Sequence, residues 1–162
     1  VGHQRGRPEV VLDAQPDACV VALAGRRSPL ATDPRMTQVV DPPSAPDQLP
    51  SLLRTDVSLL LVLIDDAETI DDQRLETLVV SQTPNWFVVA AGRNDALRSN
   101  YSHWSRALRR SKLGVLLRPD VDLDGDILGA RLPRRPPVGM SVGRGYIVNN
   151  TEPVLAQIAL PG

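Results

Sequence analysis

Apolar residues in this chain fall into short unbroken runs, separated by segments where they recur every three or four positions. The runs at 18–24, 58–64 and 86–91 hold Val, Leu, Ile, Phe and Trp with no polar alternation, which predicts strands buried on both faces of a sheet. A shorter strand is expected over 37–40, stopped by Asp41-Pro42-Pro43. Ser44 to Asp47 supply cap and first-turn residues for a helix over 48–54. Ile70, Leu75, Leu78 and Val79 place one apolar face on a helix over 68–82. Leu97, Tyr101, Trp104 and Leu108, spaced by four, three and four, predict one continuous helix over 94–111 capped by Asn94. That helix would bury the four apolar residues and leave Arg98, Arg106, Arg109 and Arg110 along its outer edge. Further on, 115–117 reads as a strand, 120–129 as an acid-rich turn with a short helical segment, and 131–139 as a Pro/Arg loop. Segments 146–148 and 154–160 read as a closing hairpin. Alternating strands and helices with all-apolar strands predict an α/β fold with a mainly parallel sheet.

With 162 residues, the chain has the length of one domain, read here as a poorly ordered lead over 1–17 followed by a domain over 18–162. The longest apolar run is too short to span a bilayer, and the N-terminal Arg residues precede no apolar signal stretch, so a cytoplasmic protein without membrane contact is expected. One Cys and two His exclude an internal disulfide and a structural zinc site. The formal net charge of −1 hides a segregation. Between Asp56 and Glu76 seven acids stand against Arg74; between Arg93 and Arg118 seven bases stand against Asp95. Such asymmetry marks a phosphate-facing or partner-facing surface, or a solvated face.

Two runs have the residue types for chemistry. The first is the apolar run ending in Asp65-Asp66-Ala67-Glu68, which sets carboxylates at the carboxyl edge of a parallel sheet, where open α/β folds bind ligands. The second, Asp120-Val-Asp-Leu-Asp-Gly-Asp126, opens like a calcium loop but has Arg131 where the bidentate Glu is required.

Taken in order, Leu59 to Glu68, Val88 to Arg93, Trp104 to Leu117, Asp124 to Gly129 with Leu132-Pro-Arg134, and Gly143-Arg-Gly145 resemble the C-terminal two thirds of an FtsK/SpoIIIE-type motor domain in its actinobacterial form. The resemblance implies a RecA-like P-loop NTPase of three layers, with a C-terminal β-hairpin, working as a homo-oligomeric ring. Such motors pump double-stranded DNA or, in the type VII secretion relatives, drive export of a protein substrate. It implies ATP and Mg as cofactors, with Asp65 as the Walker B acid holding Mg through water, Asp66 and Glu68 as catalytic acids, and Asn94 as a sensor of the terminal phosphate. Arg98, Arg106, Arg109, Arg110 and Arg144 would contact nucleic acid or a neighbouring subunit. The sequence departs from the family in having no G-x-x-x-x-G-K-[ST] Walker A motif; its single Lys, Lys112, follows no Gly-rich loop. The expectation is therefore an N-terminally truncated or degenerate motor domain, either part of an ATP-driven translocase or a non-catalytic module for assembly or regulation, with weak or absent ATP binding by itself.

Overall fold

The uncharged apolar runs pair with one another and build the first half of the fold. The computed structural model describes residues 18–52, 58–80, 85–135, 138–150 and 152–158. These fall into two compact units: 18–52, 58–70 and 85–91 in the first, and 71–80, 92–135, 138–150 and 152–158 in the second. The expected lead over 1–17 lies outside the described residues.

The first unit is a four-stranded parallel sheet in the order β2-β1-β3-β4, with β1 at Ala18–Leu23, β2 at Gln38–Val40, β3 at Leu59–Ile64 and β4 at Trp86–Ala90. Register pairs Val21 with Val62 and Leu23 with Ile64, and Val62 in turn with Val88. The face carrying Val21, Leu23, Val40, Leu60, Val62 and Ile64 is buried. The other face is covered only in part: Val20 and Ala22 are buried, whereas Phe87 and Val89 are exposed. The expectation that 86–91 would be buried on both faces is thereby corrected. An apolar run reports that both sides of a strand are hydrophobic, not that both are covered.

Helix α1 spans Ala45–Leu52, three residues earlier than expected, with Pro46 in its first turn, where a missing N–H costs nothing. Ala45 and Leu49 are buried. Of the helix expected over 68–82, a 3-10 turn at Ala67–Thr69 and helix α2 at Arg74–Val80 form instead. Asp72 Oδ1 accepts from the Arg74 N–H at 2.9 Å, an Asx turn that starts α2.

In the second unit the expected helix over 94–111 is broken in two: α3 at Asn94–Ser99 and α4 at Ser105–Arg109. Ser99 turns its hydroxyl back to the Asp95 carbonyl, 2.7 Å away, and Asn100 leaves helical geometry. His103 Nδ1 accepts from the Ser105 N–H at 3.3 Å and starts the second helix. The guanidinium of Arg109 donates to the Leu97 and Asn100 carbonyls at 2.9 and 3.1 Å, supplying the acceptor-rich end of α3 with the donors it lacks. Trp104 is buried as expected, but Tyr101 sits in the break and is 82% exposed. Asn94 is the first helical residue rather than the cap, a place taken by Arg93.

The strand expected at 115–117 is present, although not in the parallel sheet. It forms as β5, Leu113–Leu117, in an antiparallel sheet of order β5-β6-β7 with β6 at Arg144–Asn149 and β7 at Val154–Gln157. The fold is thus α/β with a parallel and a separate antiparallel sheet, and β6 and β7 form the expected C-terminal hairpin. Leu116, Tyr146 and Val148 pack with Ile127, Leu128 and Leu132 as the core under this sheet. Gly145 makes the β5–β6 pairing possible: a Cβ there would stand 2.1 Å from the Leu116 carbonyl oxygen. Among the described residues, no helix is long and apolar enough to cross a membrane.

Candidate functional site

The parallel sheet delivers its loops to one edge. Strand β3 ends there as the sequence predicts, with Asp65 and Asp66 directly after Ile64. The Asp65 N–H still bonds to the Leu23 carbonyl at 3.0 Å, and the Ala67 N–H bonds to the Ala91 carbonyl at 2.9 Å. The acids are therefore held by the ends of β1 and β4 and not by a free loop.

The carboxylate of Asp65 is engaged on both oxygens. Ser28 Oγ, buried at the start of the 3-10 turn Pro29–Thr32, donates to Oδ2 at 2.5 Å. The Asp66 N–H donates to Oδ1 at 3.0 Å. Asp66 itself has φ +47°, a left-handed conformation that costs a non-glycine residue on the order of 1 kcal/mol. The same turn is closed by Thr69 Oγ1, which donates to the Asp66 carbonyl at 2.8 Å. Asp66 is exposed and Glu68 half-buried beside it. Ser28 was not singled out from sequence; its only signal is its place one residue after Gly25-Arg26-Arg27 at the end of an apolar strand.

Asp65 accepts one hydrogen bond on each oxygen from within the chain, Arg26 and Arg27 are exposed, and no described group of three His, Cys, Asp or Glu side chains gathers to hold a metal. The only Lys belongs to the other unit.

The second unit gathers the other candidates. Asp124, 4% exposed, accepts from Arg98 Nη1 at 2.6 Å, Asn94 Nδ2 at 3.1 Å and the Asp120 N–H at 2.8 Å. Asn94 and Arg98 are thus brought together as a brace between α3 and the turn at 120–127. Arg106, Arg109 and Arg110 line one cleft with Lys112, Tyr101 and Asp126. Burial, and secondarily the neighbouring Arg106 charge, lower the pKa of Arg109 from its ordinary value. Arg109 is therefore not the freely outward cation that an unbroken helix would present, since it binds two carbonyls of its own chain. Arg144 stands apart from the cleft on β6, where it donates to Gln157 Oε1 at 3.2 Å and to the Gly139 carbonyl at 2.7 Å. Asp124 gathers three donors here and was read from sequence as part of a failed calcium loop and of the Asp124–Gly129 motif, not as a brace.

No protein-family model matches the chain, and no curated protein matches it. Among solved structures, the cytoplasmic domain of EssC superimposes on 93% of the chain with a TM-score of 0.64 at 13% identity. The chain spans 36% of that protein's length. At this identity the likeness is one of fold: the chain has the α/β architecture found within the EssC cytoplasmic domain.

Proposed function

We propose that the chain is a secretion-ATPase-related module of the FtsK/SpoIIIE type, RecA-like in descent, that does not hydrolyse ATP with its own residues and serves assembly or regulation of a larger motor. The fold likeness to the EssC cytoplasmic domain supports the secretion side of that family, as does the order of motifs from Leu59 to Gly145. The observation that carries the non-catalytic reading is that this sequence holds no G-x-x-x-x-G-K-[ST] loop to cradle phosphates, and the placement of Asp65 supports it. Each oxygen of Asp65 accepts one hydrogen bond from within the chain, from Ser28 Oγ and from the Asp66 N–H, which fixes the carboxylate's orientation. On this reading Asp65 fastens the end of β3 to the turn after β1, and Asp66 and Glu68 take no part in activating water. The partners are then neighbouring motor subunits and an exported protein in preference to DNA.

Phosphate release from Mg-ATP by the whole chain tests this. The expected rate equals the buffer background and is unchanged in Asp65→Asn and Asp66→Asn variants, with or without duplex DNA. Hydrolysis above background that Asp65→Asn abolishes would overturn the proposal and restore the Walker B role.

A further inference from the structure

In the second unit, α3, the break after it, α4 and the 3-10 turn Asp124–Ile127 surround a cleft of about 670 Å³. This is the size range of small-ligand sites, about 300–1,000 Å³. Its charge is uncompensated. Arg98 at its margin is neutralised by Asp124, but Arg106, Arg109, Arg110 and Lys112 have no carboxylate partner among the described residues. Asp126, the single acid on the wall, is exposed.

Arg106, Arg109 and Arg110 stand at i, i+3 and i+4 along α4 and its C-cap, where like charges repel. Arg109 is fixed there by its two carbonyl bonds, and its Nε is buried without a partner. Lys112 is held with φ +53°, and its side chain passes 3.6 Å from where a Cβ on Gly129 would stand. Backbone in this region is kept only where its surroundings impose it. A chain that gathers four cations against such costs offers a seat for an anion of several charges.

We propose that this cleft binds a phosphate chain, as presented by pyrophosphate or by a nucleoside polyphosphate. Planar guanidinium forks match phosphate oxygens in pairs, and several of them suit a ligand with charge spread over two or three groups. The concave shape between α4 and the 124–127 turn admits a compact ligand and not the convex side of a duplex. Tyr101, at the rim with its ring open to solvent, gives a face on which a base would stack. The site uses no residue of the Asp65 edge and needs no divalent metal.

Titration calorimetry of the whole chain in EDTA at low salt, with pyrophosphate, ATP and a 20-base-pair duplex as separate ligands, tests the assignment. Pyrophosphate and ATP are expected to bind, ATP the more tightly, with a tenfold loss of that preference in Tyr101→Ala. An Arg106→Ala/Arg110→Ala variant, which leaves the Arg109 bonds intact, is expected to weaken both by at least a hundredfold, about tenfold per charge-assisted contact. Its circular dichroism should match that of the parent. No binding at millimolar pyrophosphate, or binding untouched by the double variant, would overturn the proposal. Duplex bound more tightly than ATP, with a salt slope steeper than −3, would reassign the cleft to nucleic acid and equally overturn it. Asp65→Asn separates this test from the preceding one: cleft binding is expected to be unchanged in this variant, and nucleotide binding that Asp65→Asn removes belongs to the sheet edge and overturns the cleft assignment.

Discussion

Replacing Asp124 by Ala is expected to cost roughly 3 kcal/mol of stability, the scale found when one partner of a buried ion pair is removed. Three donors converge on this carboxylate: the Arg98 guanidinium, the Asn94 amide and the Asp120 N–H. The Asp124 side chain is 6% exposed and that of Arg98 33% exposed, so the acid is the member that water cannot replace. Its loss leaves a half-buried guanidinium without a counter-charge and frees α3 from the turn at 120–127. Thermal unfolding followed by circular dichroism should show a fall of roughly 6–12 °C for a chain of this length. Asp124→Asn, which keeps the shape and one acceptor oxygen but loses the charge and sets an NH2 against one of the donors, should also fall, though less far than the alanine variant. A shift under 2 °C for the alanine variant would show that the brace contributes nothing.

Gly145→Ala should be at least as damaging, about 3 kcal/mol or more, because the obstacle is backbone. The added methyl would lie 2.1 Å from the Leu116 carbonyl oxygen and 2.9 Å from the Leu117 Cα. A crowded side chain can rotate away at about 1–3 kcal/mol, but here β5 and β6 must part, uncovering Tyr146 and Leu116 in the core beneath. Gly25→Ala is the matched control: nothing lies within 4 Å of its added methyl, so its urea midpoint should move by no more than about 0.5 kcal/mol equivalent. Equal midpoints for the two variants would refute the packing argument.

The end of β3 was legible because an apolar run closed by two acids leaves one register in which the acids reach the sheet edge. Strand β5 was equally apolar, yet Leu113 to Leu117 gives no sign of which strand it will meet. Its antiparallel partnership with β6 depends on Gly145, thirty residues away in the chain from Val115. The break in the helix was hidden for a related reason. The spacing of Leu97, Tyr101, Trp104 and Leu108 counts apolar positions; it does not register that Arg109 caps the end of α3 or that His103 starts α4. Periodicity placed Tyr101 inside, and tertiary donors put it in solvent. Likewise the bonds of Asp65 to Ser28, and of Asp124 to Arg98, join residues 37 and 26 apart in sequence. Composition shows the acids but not what will satisfy them.

Asp65 is either a fastening or a metal-side acid, and the two roles respond differently to Mg²⁺. The most direct measurement is calorimetric titration of the whole chain with ATP in the presence of excess Mg²⁺ and again in EDTA, for the parent and for Asp65→Asn. A carboxylate that serves as a fastening predicts that Mg²⁺ does not strengthen binding and that both proteins give the same isotherm. Binding in the micromolar range that appears only with Mg²⁺ and vanishes in Asp65→Asn would contradict it.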